Sequence, residues 1–407
     1  MRYVLVTNLP FGLTPNGAYA VDELWGWDLK AHLEALNKHL PHYKLYVYAP
    51  MESYDPKKHR YIFARDAIVF CPLPNFKSKL EFIKNFPKII CIFLREFRKS
   101  DVLHSTATFY PPIGLTANLV GLFRRCSKRL LVIDADTIGD FELLAAMNKS
   151  IRKLFYLVIK RLVALVLKIQ IRLTPLVFVV GDVLYERFKN YRNVVKIYAS
   201  WVRREDIISS ASLLRKIESS KRSEKIKLCF AARLILKKNP VCAIQVAKIL
   251  KSKGIPFKLD IFGEGQMKEE LKELVKKYEL EDHVTFKGLI PYGETFYNAL
   301  REYDAILVPN LSGEQPRIIF DAMANGLVVI GSTNPFKGII KSGINGILCD
   351  PRNPESFALA VQRLYEDRGF QERLIYAGIK AVEENNINSI HERRMKILIN
   401  RLKLNSA

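Results

Sequence analysis

At 407 residues the chain exceeds one ordinary hydrophobic core and suits two domains of roughly 200 residues each. Hydrophobic residues at 49% and charged residues at 26% exclude a disordered or collagen-like chain. The formal charge of +23, leaning to the N-terminal half, calls for an anionic partner: nucleic acid, a lipid surface or a phosphorylated small molecule.

The first residues, "MRYVLVTNLPFG", offer too few apolar positions before a polar turn for a secretory core, so a cytoplasmic protein is expected. Short apolar runs then alternate with helical patterns: strand "YVLVTNL", helix "DELWGWDLKAHLEALNKHL", and strands "KLYVYAP" and "AIVFCPL". Such alternation signals βα units and a parallel sheet. In the turn "LPFGLTPNGAY", Gly17 either lets the backbone approach a phosphate or sugar closely or simply turns the chain. Two further strands follow, "DVLHSTATF" with His104 and "LLVIDADT" with Asp134 and Asp136 near its end.

From Leu143 to Val180 there are seven basic residues and no acidic one. At 100° per residue, Lys153, Lys160, Arg161, Lys168 and Arg172 fall within an arc of roughly 120°, with leucines and valines around the rest of the wheel. Two readings fit: an interfacial helix resting its cations on an anionic membrane face, or a core helix with a solvated side. The cations interrupt every apolar run before it reaches bilayer-spanning length.

A polar stretch, "SSASLLRKIESSKRSEK" at 209–225, reads as a linker. It divides an N-terminal domain, 1–208, from a C-terminal domain, 226–385, with a closing basic helix at 386–407. The second domain repeats the alternation through "IKLCFAAR", "FKLDIFGEG", "HVTFKG", "DAILVPN" and "LVVIGS", and open α/β sheets bind ligands at the carboxyl ends of such strands. There, Arg233 and Lys238 stand beside a helix start, where two cations and free N–H groups can hold a diphosphate. Gly263 and Gly265 allow a close backbone approach or a tight turn. An acidic loop, "LSGEQPR", leads into a helix carrying Asp321. The six cysteines and seven histidines show no metal-site spacing, so neither a metal nor another cofactor is expected.

Taken in this order, the cation pair, the glycine turn, "VTFKG" and the acidic loop-helix resemble the nucleotide-sugar domain of retaining GT-B glycosyltransferases of the family-four, group 1 type. The resemblance covers roughly residues 223 to 365. It implies two Rossmann-like α/β domains facing a central cleft, with a C-terminal helix that can cross back. It also implies a nucleoside-diphosphate sugar as donor, with Arg233 and Lys238 on its diphosphate. Gly288 and Leu289, after Phe286 and Lys287, match the turn near the donor base. Asp321 stands, shortened, for a glutamate that binds the ribose. The first glutamate of that E-x7-E pattern falls on Gly313, leaving Glu314 as the acidic group available to the transferred sugar. Asp134 and Asp136 lie where many members have a histidine, and with Gly17 they would line the acceptor side.

The expectation is therefore a glycosyltransferase acting on a membrane-associated glycan or glycolipid at the inner membrane face. A weakened GT-B subunit that binds nucleotide sugar without transfer remains an alternative, motivated by Gly313, and an epimerase of the same architecture is disfavoured by the acidic loop. Nucleic acid is not expected as a partner, because the basic stripe alternates with leucine and valine and not with stacking aromatics.

Overall fold

The computed structural model describes residues 1–336 and 338–404. Two parallel sheets, each flanked by helices, form two α/β domains. In the first, seven strands run in the order Val194–Ile197, Leu176–Val180, Lys128–Ile133, Val102–Thr106, Arg2–Val6, Lys44–Pro50, Val69–Leu73. In the second, six strands run Val284–Gly288, Phe257–Phe262, Ile226–Ala231, Ala305–Val308, Val328–Ser332, Ile347–Cys349. This is the Rossmann order, in which the sequence direction of the sheet reverses between two central strands and opens a crevice at their carboxyl ends. In the C-terminal domain that reversal lies between Ile226–Ala231 and Ala305–Val308. The strands read as continuous apolar runs because both faces are covered: all four residues of Ala305–Val308 and all five of Val328–Ser332 are buried.

The stretch expected as a polar linker is instead the helix Ser210–Arg222, capped by the Ser209 side chain on Ser212 N–H. Most of its serines and cations face solvent, while Leu213 and Ile217 enter the C-terminal core. Full burial of each contributes roughly 1.5–3 kcal/mol, enough to dock a helix whose composition alone reads as a tether. Ser220 fixes it further by donating to Asp304, which also accepts from Gln371 Nε2 at 3.2 Å.

The closing helix, Ile387–Leu402, does cross back. Met395, Leu398 and Leu402 join the N-terminal core, and Lys38 and His391 reach across the seam to Glu392 and Asp28. The C-terminal helix thus belongs by packing to the first domain, and the chain passes between domains twice.

Candidate active site in the interdomain cleft

The cleft sits at the carboxyl ends of the central C-terminal strands, as the sheet order requires, and is closed on the other side by the N-terminal domain. Its wall brings together Asp134, Arg233, Lys238, Glu314 and Arg317, with Trp201, Phe230 and Val308. Four residues singled out from sequence, Asp134, Arg233, Lys238 and Glu314, therefore share one cavity although they span 180 positions of chain.

The Arg233 loop owes its shape to two glycines. A Cβ on Gly263 would lie 2.0 Å from Ala232 O, and one on Gly265 would lie 2.3 Å from Leu234 O. Only glycine allows the loop after Phe257–Phe262 to press its backbone so closely on the loop after Ile226–Ala231. The contact is sealed by Leu234 N–H donating to Glu264 O at 2.9 Å. Gly263 and Gly265 act here through the Arg233 loop and are absent from the cleft wall.

Past Arg233 the chain makes a short turn, and Asn239, left-handed at φ 54°, starts the helix Pro240–Ser252. That turn buries Lys238 to 8% exposure. Lys238 Nζ lies 3.6 Å from Glu314 Oε2, and Lys237 Nζ lies 3.0 Å from the same atom and 3.0 Å from Asp140 Oδ2 of the other domain. Burial first, then the charges of Lys237 and Arg233, hold the Lys238 ammonium below the usual lysine range, although Glu314 works the other way. Glu314 is held below the usual carboxyl range because the two lysines and Arg233 outweigh its burial. Arg233 forms no ion pair with any described residue and is exposed to the cleft. Three cations thus crowd one carboxylate from their own domain, an excess of positive charge that suits a dianion.

The acidic loop departs from the expected pattern for a packing reason. A Cβ on Gly313 would meet Val183 Cγ1 at 2.4 Å and Asp136 Oδ2 at 2.5 Å. Gly313 is therefore a contact point between domains, and its neighbour Gln315 locks the same seam by accepting from Ala199 N–H at 3.1 Å and donating to Ala199 O at 2.7 Å. Asp136 caps the helix Thr137–Met147 through Gly139 N–H and pairs with Arg187 at 3.2 Å. It lies behind the cleft wall, whereas Asp134 faces the cleft. Burial chiefly, and Glu314 in addition, raise the Asp134 carboxyl against the pull of Arg317 and Arg394.

Asp321 is placed apart from this cavity. It is 3% exposed and accepts from Tyr292 Oη at 2.6 Å, with Tyr297 Oη donating to Tyr292 at 2.9 Å. Burial foremost pushes its carboxyl up to about 7. Tyr292 in turn lies between Trp27 of the N-terminal domain and Trp201, with ring centroids at 6.4 and 5.9 Å. Gly288 (φ 70°) and the exposed Leu289 form the turn before this aromatic group. Gly17, also left-handed at φ 76°, is enclosed by the Arg65 guanidinium and is not on the cleft wall. His104 is a core residue in contact with Tyr3 Oη at 3.0 Å, its imidazole driven down to about 3 by burial and then by Arg394 and His391.

Sequence reasoning passed over Lys237, Asp140, Trp201, Tyr292 and Arg394. Lys237 was legible beside Lys238 in "LKKNP". Asp140 and Arg394 carry no local signal, because only the approach of the two domains brings them here, and nothing in the sequence around Tyr292 shows the Asp321 carboxylate that it meets. Arg317, in the acidic loop, could also be read as an ion-pair partner for Glu314; no such pair forms, and its guanidinium lies 3.8 Å over the Trp201 ring.

In the N-terminal domain, packed on the helix Thr137–Met147, the helix Ser150–Leu173 buries Val163, Leu167 and Ile171 and exposes a second apolar strip: Ile151, Leu154, Phe155, Val158, Leu162 and Leu165, each 46–84% exposed. Lys153, Arg161, Lys168 and Arg172 are exposed on the same helix. Lys160 instead turns toward Glu142 at 3.6 Å. No described helix is long and apolar enough to cross a membrane.

Comparison with known proteins places this geometry. Residues 214–381 match a family described as Glycosyl transferases group 1. An uncharacterized glycosyltransferase of Methanocaldococcus jannaschii is 31% identical over 159 residues, 39% of this chain and 40% of that protein. The amylovoran biosynthesis glycosyltransferase AmsK of Erwinia amylovora is 28% identical over 184 residues, 44% of this chain and 45% of that protein. The matches thus span less than half the length of these relatives. Among solved structures, sucrose-phosphate synthase of Thermosynechococcus elongatus superposes with a TM-score of 0.69 at 16% identity, over 99% of both chains. HepE of Anabaena, solved in complex with UDP, gives 0.65 at 14% identity, over 98% of this chain and 100% of that one. At these identities the likeness is one of fold: both domains together have the GT-B architecture.

Proposed function

We propose, for a chain whose residues 214–381 belong to the glycosyl transferases group 1 family, that it moves a sugar from a nucleoside diphosphate to a hydroxyl of a glycan or glycolipid at an anionic membrane face, with retention of configuration. One observation carries the reading: Lys238 is buried beside Arg233 and Lys237 at the reversal point of the C-terminal sheet, where a diphosphate relieves their mutual repulsion. These cations stabilise the negative charge that grows on the leaving diphosphate as the glycosidic bond breaks. In this scheme they do the work of a divalent ion. Glu314, released from Lys238 by the incoming phosphate, is free to meet hydroxyls of the transferred sugar. Asp134 faces the same space from the N-terminal domain, and an acceptor hydroxyl held there on the face the diphosphate leaves would give retention.

The membrane reading rests on the helix Ser150–Leu173, whose exposed apolar strip and exposed cations, without an acidic residue, match an anionic lipid surface in both charge and polarity. A protein working there faces the cytoplasm without spanning the bilayer. Gly313 favours a second reading, a subunit that binds donor without transferring, because its contact with Val183 and Asp136 leaves no room for a carboxylate at that position.

A panel of nucleoside-diphosphate sugars screened by thermal stabilisation tests donor binding, since a ligand at a hundred times its Kd adds about 2.7 kcal/mol to the native state. Donor turnover by the purified chain with an added glycolipid then separates the two readings. Stabilisation by no nucleotide would remove both.

A further inference from the structure

A second pair of cations, Arg317 and Arg394, stands close enough to Asp134 to pull on its carboxyl. Arg394 comes from the crossing helix and feels the charges of Asp28, Arg317 and Asp134. It makes one hydrogen bond among the described residues, from Nη2 to Tyr198 O at 2.6 Å, and its buried Nε has no partner. Arg317 lies on the cleft wall with its guanidinium stacked on Trp201, and it too forms no ion pair with a described residue. Asp28 accepts from His391 Nε2 at 3.1 Å and forms no ion pair with either arginine. Burial works against the Asp28 charge, but His391, Arg394 and Arg317 outweigh it and hold this carboxyl below its usual range.

A guanidinium offers five donors in a planar fork. Leaving most of them unused beneath a cavity is a standing cost, and such groups call for a ligand or ion. Stacking on Trp201 holds the plane of Arg317 at the cavity wall. Both arginines act on Asp134, Arg394 from the crossing helix packed on the N-terminal domain and Arg317 from the acidic loop of the C-terminal domain, whereas the cations acting on Glu314 are Lys238, Lys237 and Arg233.

We infer that Arg394 and Arg317 form an oxyanion subsite for the acceptor, holding either the carboxylate of an acidic sugar or the phosphate of a phosphorylated carrier. The assignment to the acceptor rests on the reading of Arg233 and Lys238 as the donor end. The subsite adds a demand that reading does not contain: a neutral acceptor leaves the arginines unpaired, while an anionic one pairs them and is anchored bidentately.

The test titrates the full chain with glucuronate, with glycerol 1-phosphate and with UDP at low salt. Wild type is compared with Arg317→Gln, Arg394→Gln and the double variant Arg233→Ala/Lys238→Ala. Binding of at least one of the two small anions should fall tenfold or more in Arg317→Gln and in Arg394→Gln and be retained in the double variant, and UDP should show the reverse pattern. The tighter of the two probes identifies the source of the oxyanion. Arg317 is a cleft-wall residue, so its variant carries the test even where Arg394→Gln fails to fold. The proposal is overturned if wild type binds neither small anion, or if their binding is lost with Arg233 and Lys238 and kept without Arg317. UDP binding that ignores the Arg233 and Lys238 changes would instead remove the donor reading and leave the anion result standing on its own.

Discussion

Lys237 Nζ lies 3.0 Å from Asp140 Oδ2, so that one ion pair joins the Arg233 loop of the C-terminal domain to the first helix beyond Asp134 in the N-terminal domain. The same ammonium holds Glu314, which couples closure of the cleft to the position of the acidic loop. Ion pairs of this partly exposed kind contribute up to about 1 kcal/mol. Asp140→Asn should therefore lower kcat/KM for transfer roughly fivefold, the factor 1 kcal/mol sets, while UDP binding, made by the other domain, stays within twofold. Steady-state kinetics beside UDP titration checks this, and an equal loss in both would assign Asp140 to donor binding itself.

Gly313→Glu restores the first glutamate of the expected E-x7-E pattern, with Asp321 still at the second position, and it should inactivate the protein. The new Cβ would start 2.4 Å from Val183 Cγ1, an overlap that only domain separation relieves. Activity should fall at least tenfold, with radius of gyration increased in small-angle scattering. A more active variant would mean that the loop moves and that the glutamate is wanted there.

Asp321 gives the stability a pH dependence of defined sign. Its carboxyl titrates at about 7 in the native protein and at about 3.9 in an unfolded chain. Between these values the native state holds a proton the unfolded state has lost, so the residue's contribution to stability falls as pH rises from about 4 to 7 and levels off above. Asp321→Asn does not titrate. Its melting temperature relative to wild type should thus rise by a few degrees from pH 5 to pH 7.5; a difference constant over that range would show that the carboxyl is not raised.

The exposed helix should bring the protein to anionic vesicles. Changing Lys153, Arg161, Lys168 and Arg172 together to glutamine removes cations worth on the order of 1 kcal/mol each near such a surface. Vesicle partitioning in a sedimentation assay should drop more than tenfold, with UDP binding unchanged. Lys160→Gln alone should matter little because Lys160 is engaged by Glu142. Wild-type protein that ignores phosphatidylglycerol vesicles at low salt would leave the exposed apolar strip without a bilayer to meet.

The C-terminal fold was legible because strands such as Ala305–Val308 and Val328–Ser332 are short apolar runs with a turn after them, whereas the three-residue edge strand Ile347–Cys349 is too short to show a pattern and was not read. The helix Ser210–Arg222 was not, since its two buried apolar side chains, Leu213 and Ile217, are outnumbered by serines and cations, most of which face solvent. Of the site, Arg233, Lys238, Glu314 and Asp134 could be read from strand ends. The reason for Gly313 could not, because Val183 and Asp136 come from a different domain and a glycine shows nothing of what it makes room for. Arg394 lies beyond local pattern altogether: it reaches the cleft only because the last helix returns to the first domain.

The central claim is that Arg233 and Lys238 hold a nucleoside diphosphate, and calorimetric titration of the Arg233→Ala and Lys238→Ala proteins with UDP tests it most directly. Each substitution removes a charge-assisted contact of roughly 1.5–3 kcal/mol. The account predicts that Kd rises at least tenfold in each variant, with melting temperatures in the absence of ligand close to that of wild type. UDP binding of wild-type strength in both variants would contradict it.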